Sequence, residues 1–259
     1  MEEVGYYDDP ERYQAEYSFL AADVEWYRRH TLALGGPALV LGCGTGRHVF
    51  HLAAAGLDVD GIDNAPAMLD FARSRAVPMR SEITRRVQFF SADMRRFSLP
   101  RKYRTVLAPL NCLMHLHSDD EMLACLGRVK SHLTSNGGLL FDVAHPRPEL
   151  LANTDDPRGV PLREIRVRGV TYLQRERHEY HADTGISEAV FQFEPRETGL
   201  SAFQCRLRLR MFSATEIEDL LHRAGFVIEE KFGNFQDQPF RKDGISQIFV
   251  ARPALIVAG

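Results

Sequence analysis

Lysine is nearly missing from this 259-residue chain: Lys102, Lys130, Lys231 and Lys242 are all it has, within a combined Lys and Arg count of 32. Acidic residues number 35, so the formal net charge is only -3 and no surplus of cations exists to track a phosphate backbone. Nucleic acid is therefore not an expected partner. Cysteine is scarce too. Cys43, Cys112, Cys125 and Cys205 stand far apart without a Cys-x-x-Cys, which excludes a disulfide framework and a thiolate zinc site. The pairs His48/His51 and His178/His181 have no cysteine or carboxylate at ligand spacing, so no metal is expected. No apolar run is long enough to span a membrane, and the first residues are acidic and tyrosine-rich, unlike a signal peptide. A cytoplasmic protein without a membrane partner is the expectation. A Gly-x-Ser-x-Gly element is also lacking, which leaves serine-hydrolase chemistry unsupported.

What is present centres on Ala38-Leu-Val-Leu-Gly-Cys-Gly-Thr-Gly-Arg-His48. Leu39, Val40 and Leu41 read as the end of a buried parallel strand, and a helical pattern restarts near Val49. Between them, Gly42, Gly44 and Gly46 leave main-chain N–H groups at a helix N-terminus with no Cβ in the way. The dinucleotide fingerprint would put its third glycine where Arg47 stands. The phosphate loop would need Gly-Lys-Ser/Thr where the chain has Gly46-Arg47-His48. Asp63 closes the next apolar run, where a carboxylate can accept both hydroxyls of a ribose. The pattern fits a nucleoside better than a pyrophosphate.

Leu41-Gly-Cys-Gly-Thr-Gly46, then Gly61-Ile-Asp-Asn-Ala-Pro-Ala-Met-Leu69, then Ser91-Ala-Asp-Met94, each at the end of an apolar run, resemble the class I S-adenosylmethionine (SAM)-dependent methyltransferases. The resemblance extends over the whole chain and implies a doubly wound, mostly parallel seven-stranded α/β sheet, a Rossmann-like fold, with SAM as cofactor and S-adenosylhomocysteine as product. It further implies that Gly42, Cys43, Gly44 and Gly46 let the backbone approach SAM, that Asp63 beside Asn64 takes the ribose, and that Asp93 and Met94 take the adenine. Asn111 falls at the end of the fourth strand, on the same edge.

Four parts follow from the order of patterns. Residues 1–34 precede the first strand, and a helix from Glu11 to Arg29 would set Tyr13, Tyr17, Leu20, Val24 and Tyr27 on one stripe, as a lid or as a core-packing helix. Residues 35–147 alternate strand and helix and form the SAM-binding core. Asn64 reads as an N-cap for a helix over 65–75, Ser118 as another, and Gly137-Gly138 as the end of the helix that Ser118 begins. Residues 148–212 change rhythm: strands over 165–174, 177–181, 186–193 and 203–211 predict an inserted small antiparallel β-sheet. That insertion is expected to cap the substrate or to contact a second copy in a homodimer. Residues 213–259 return to the core with a capped helix and an antiparallel pair of edge strands.

The run Asn111-Cys-Leu-Met-His-Leu116 resembles a segment of small-molecule N-methyltransferases, in which the histidine lies near the acceptor; Cys112 replaces the serine of that pattern. His115 is thus the candidate catalytic residue, able to orient an amine or hydroxyl or to take its proton. Tyr13 and Tyr17, with Tyr6 and Tyr7, supply phenols whose faces tolerate a sulfonium. The expected function is methyl transfer from SAM to a nitrogen or oxygen of a small-molecule acceptor. Its rivals are an NAD(P)-dependent oxidoreductase on a similar sheet and a SAM-binding protein without catalysis.

Overall fold

The computed structural model describes residues 1–148, 151–197 and 199–254. It begins with a short strand, β1 (Glu2–Gly5), and two helices, α1 (Pro10–Tyr17) and α2 (Ala22–Leu34). Strand and helix then alternate through β2 (Ala38–Leu41), α3 (Arg47–Ala54), β3 (Val59–Asp63), α4 (Pro66–Ala76), the single turn α5 (Ser81–Thr84) and β4 (Val87–Ser91). The alternation goes on with β5 (Tyr103–Ala108), a 3-10 turn over Cys112–His115, α6 (Asp119–His132) and β6 (Leu133–Ala144). Four long strands follow: β7 (Val160–Val167), β8 (Val170–His181), β9 (Ile186–Pro195) and β10 (Phe203–Arg210). The chain ends in α7 (Ala214–Arg223), β11 (Phe226–Phe232) and β12 (Ser246–Pro253).

The central sheet has seven strands in the order β11-β12-β6-β5-β2-β3-β4. All neighbours are parallel except β12, which runs antiparallel to both β11 and β6. Both faces are buried, and alternate residues of each strand serve opposite cores. Leu39 and Leu41 meet Val106, Phe141 and the α6 and α7 residues Leu126 and Leu220 on one face; Val40 meets Leu107, Leu140 and the α2 and α3 residues Trp26 and Leu52 on the other. Each such side chain contributes about 1.5–3 kcal/mol by leaving water. The strand order reverses between β2 and β5, so their carboxyl ends open a crevice there. Among the described residues no helix is long and apolar enough to cross a membrane.

The excursion between β6 and α7 is the antiparallel β7–β10 meander, and β1 joins its edge parallel to β10, making five strands. The acidic run Glu2-Glu3-Val4-Gly5 has no strand signal; its partner provides one, for Arg206 pairs with Glu3 across the register.

Several boundaries differ from expectation. The single helix over 11–29 is two helices, because α1 packs on β7 while α2 packs on the core, and the Leu20 carbonyl at the break is taken by Arg47. Asn64 does not cap α4: Ala65 holds the N-cap position, and the Asp63 carboxylate accepts from the Ala65 N–H. Gly137-Gly138 do not end a helix. They lie inside β6, where the register to β5 jumps from Tyr103↔Leu133 to Thr105↔Gly138, and a Cβ on Gly137 would stand 3.1 Å from the Arg104 carbonyl oxygen. The strand expected over 165–174 is broken by Arg168 and Gly169, both with positive φ, which close a two-residue hairpin between β7 and β8.

Candidate active site

At the carboxyl ends of β2, β3 and β5 lies a cavity of about 300 Å³, bounded by Gly42, Cys43, Gly44, Asp63 and Asn64 below and by Tyr7, Tyr13 and His115 above. Gly42, Gly44 and Gly46 all have positive φ, and at Gly42 and Gly46 a side chain would also meet a close neighbour. A Cβ on Gly42 would meet Cys112 Sγ at 2.6 Å, and one on Gly46 would meet the Phe50 ring at the same distance. Gly44 faces Tyr13, its notional Cβ 3.9 Å from that ring. Gly46 is therefore a helix start packed on Phe50 and does not line the cavity. The loop's amides are less free than its glycines suggest. The N–H groups of Cys43, Gly44 and Gly46 donate to Ile62 O, Asp63 Oδ2 and Cys43 O, so the loop offers shape more than vacant donors.

Asp63 accepts from the Gly44 N–H at 2.7 Å and the Ala65 N–H at 2.9 Å. Burial raises its pKa despite those two donors. A carboxylate has about four lone-pair sites, so it retains capacity for two hydroxyls. A second cavity, about 190 Å³, shares Gly42, Asp63, Asn64, Met94 and His115 and extends to Asp93 and Arg95. Here Asp93 is not waiting for a ligand: Arg95 grips its carboxylate and pulls its pKa down to about 2, while also pairing with Glu121. Met94 lines both cavities. Asn111 lines neither, since its side of the turn faces Asp142 through its N–H; Leu110 stands in the wall instead.

His115 lies at the cavity edge with Nε2 2.8 Å from the Tyr7 hydroxyl. Burial, with the neighbouring His117 adding to it, lowers its pKa to about 4, so the ring is neutral at pH 7. Burial likewise keeps the Tyr7 phenol protonated, and in the Nδ1–H tautomer of the neutral ring that phenol donates to Nε2. Of the two tyrosines selected from sequence, Tyr13 reaches the cavity and Tyr17 does not. Tyr17 lies tilted against Tyr13, ring centroids 4.7 Å apart, and bonds to the Tyr6 hydroxyl at 3.0 Å, in an outer groove. No side chain of residues 151–197 or 199–212 lines the first cavity.

Beneath the cavity, Asp142 at the end of β6 accepts from Tyr27 Oη at 2.6 Å, Leu110 N–H at 2.9 Å and Asn111 N–H at 3.1 Å. Burial pushes its pKa up to about 6. Leu110 and Asn111 are consecutive non-glycine residues with φ of 56° and 60°, so this carboxylate holds a strained turn that sets the 3-10 segment carrying His115. Sequence reasoning missed Tyr7 as His115's partner, and it missed Asp142. The pairing of Arg47 with Asp23 was also missed, although Arg47 was conspicuous as the residue occupying a glycine position.

Residues 38–137 match a family model described as a methyltransferase domain. The chain is 25% identical over 217 residues, 84% of its own length and 78% of the relative's, to a dTDP-3-amino-3,6-dideoxy-alpha-D-glucopyranose N,N-dimethyltransferase of Streptomyces fradiae. The CcbJ methyltransferase of Streptomyces caelestis superposes with a TM-score of 0.81 at 22% identity, covering 97% of this chain and 99% of that one. SAM-bound CalS10, an amino pentose methyltransferase from Micromonospora echinaspora, does so with 0.71 at 23% identity, covering 93% and 95%. The fold is that of these enzymes.

Proposed function

We propose that this chain, a class I SAM-dependent methyltransferase, methylates an amine nitrogen of a small polar acceptor of amino-sugar type. SAM supplies the methyl group on a sulfonium and takes the bonding pair away as a thioether. The chain's residues have the remaining tasks. Asp63 keeps lone pairs for the ribose hydroxyls, and the Gly42–Gly44 floor admits the nucleoside without a Cβ. Tyr7 and Tyr13 cover the cavity and exclude water.

Nitrogen is favoured over oxygen by one observation: His115 is held neutral by burial and bonded to Tyr7. A hydroxyl acceptor must lose a proton to a competent base, and a histidine with a pKa of about 4 is a weak one. An amine needs its lone pair aimed at the methyl carbon. With its proton given to His115, the Tyr7 oxygen has lone pairs left to accept an amine N–H and so to aim that lone pair. The proton shed by the acceptor goes to water. The likeness to an amino-sugar N,N-dimethyltransferase supports the choice of acceptor class. The test supplies methyl-labelled SAM with dTDP-3-amino-3,6-dideoxyglucose and with its 3-hydroxy counterpart. Label in the amino sugar alone is expected; label only in the hydroxy sugar overturns the assignment.

A further inference from the structure

The outer groove that holds Tyr17 is roomier than either cavity above, about 570 Å³, and the chemistry just described makes no use of it. It is apolar where α1 gives way to α2, through Tyr17, Leu20, Ala21 and Val24. It is also lined by three cations, Arg28, Arg47 and Arg75, against one carboxylate, Glu25, among the described residues. Two of the three charges are already met. Arg28 grips both oxygens of Glu25 at 2.8 Å, and Arg47 grips both oxygens of Asp23. Arg75 is different. Its Nη1 donates to the Thr45 carbonyl at 2.8 Å and its guanidinium lies over the Phe50 ring at 5.3 Å, but no carboxylate among the described residues pairs with it. Burial, with no anion to offset it, lowers its pKa. A half-buried guanidinium without a counter-ion is a cost to the fold, and its plane is fixed by the ring and the carbonyl, so its remaining N–H donors are set in place for an anion.

The groove meets the first cavity at Tyr13, Thr45 and Arg47 but includes neither Asp63 nor the Tyr7–His115 pair. A ligand in it therefore leaves the methyl-transfer residues free. We propose that this groove is a second ligand site, separate from the methyl-transfer cavity, for a small organic anion: a phosphate monoester or a carboxylate held by Arg75, on an aromatic or aliphatic body lying along Tyr17, Leu20 and Val24. Both anions match the guanidinium fork, which offers parallel donors to two oxygens. The apolar wall explains why a bare inorganic ion is not enough, since it would leave that surface in water.

Ligand-observed NMR titration of the full chain tests it with phenyl phosphate, benzoate, benzyl alcohol and inorganic phosphate, each with and without saturating S-adenosylhomocysteine. Phenyl phosphate or benzoate should bind saturably and several-fold tighter than the other two, because only these carry both charge and body; the tighter of them tells phosphate from carboxylate. S-adenosylhomocysteine should leave that affinity within about twofold or raise it. Arg75→Gln should weaken it about tenfold or more. Ala21 is exposed, lines the groove and is the N-cap of α2, a position that favours aspartate. Ala21→Asp thus sets a repelling carboxylate on the wall without disturbing the fold; it should weaken binding about fivefold, and it carries the test if Arg75→Gln does not fold. No binding of either aromatic anion, no preference for them over the two controls, displacement by S-adenosylhomocysteine, or undiminished affinity in a folded variant would overturn the proposal. A wild-type chain that fails to bind S-adenosylhomocysteine removes the SAM reading instead, a distinguishable failure, and the two variants still decide this site.

Discussion

A carboxylate that already accepts two backbone hydrogen bonds has its free lone pairs fixed in direction, and Asp63 is such a group. Its removal costs the ligand two acceptors and frees the Gly44 amide that shapes the floor. Asp63→Ala should therefore weaken S-adenosylhomocysteine binding more than tenfold by calorimetry, about 1.4 kcal/mol or more. His115 leads to a prediction about pH. Because burial holds its pKa near 4, it does not titrate between pH 6 and 9. The kcat/KM profile should rise over that range with the pKa of the acceptor amine alone, and should move when an amine of different pKa is supplied. An inflection near 6.5 that stays put with every acceptor, and that vanishes in His115→Asn, would contradict this. Tyr7→Phe should lower kcat about tenfold or more with little change in S-adenosylhomocysteine affinity, since the phenol is assigned to the acceptor. Asp63 was legible from its place after an apolar run. The Tyr7–His115 bond was not, because it joins positions 108 residues apart and no local pattern encodes it.

Among elements, the 110–111 turn and α1 are both held by buried charge. Asp142 and His115 act on stability with opposite signs. A carboxyl whose folded pKa is raised from 3.8 to about 6 favours folding most at low pH and loses that contribution as pH rises through 6. A histidine lowered from 6.5 to about 4 gives its full contribution above 6.5 and loses it as pH falls. Between pH 4 and 6 the two slopes oppose each other. Asp142→Asn removes the first, so unfolding free energy measured in urea should climb more steeply from pH 4 to 6 than in the wild type. An unchanged or shallower slope would mean Asp142 is already ionised in that range. In α1, Arg12 and Glu16 are both buried and paired, with Arg12 lying over Tyr6 and Phe193, and Glu16 accepting from Tyr6 and Gln174. Arg12→Met leaves Glu16 charged and unpaired and should cost about 3–5 kcal/mol, much of it regained in Arg12→Met/Glu16→Leu. Denaturant midpoints decide it. The sequence shows why this was hidden: an i,i+4 Arg–Glu pair is the ordinary sign of a solvated helix face, and the tyrosines drew attention to the other side.

For the molecule as a whole, the alternation of strand and helix was readable because each βα unit carries its own period and punctuation, whereas the seven-stranded sheet was what the resemblance implied. The joining of the inserted sheet to the N-terminus was not readable, since β1 pairs with β10 across some two hundred residues. That joining redefines the insertion. None of its described residues lines the first cavity; it holds α1 through Phe193 and Gln174, and holds Asp9 and Glu11 through Arg168. The tyrosine cover and the five-stranded sheet are thus one body resting over the glycine loop, and ligand beneath Tyr13 should tighten the whole. At a hundredfold excess over Kd, a ligand that binds only the folded state adds about 2.7 kcal/mol. At roughly 2–4 °C per kcal/mol for a chain of this size, S-adenosylhomocysteine should raise the melting midpoint by about 5–10 °C. NAD(P) should leave it unmoved, because Arg47 occupies the third glycine position of a dinucleotide loop and is committed to Asp23 and the Leu20 carbonyl. Stabilisation by NAD(P) alone would favour the rival oxidoreductase reading and leave His115 and Tyr7 without the roles that depend on SAM.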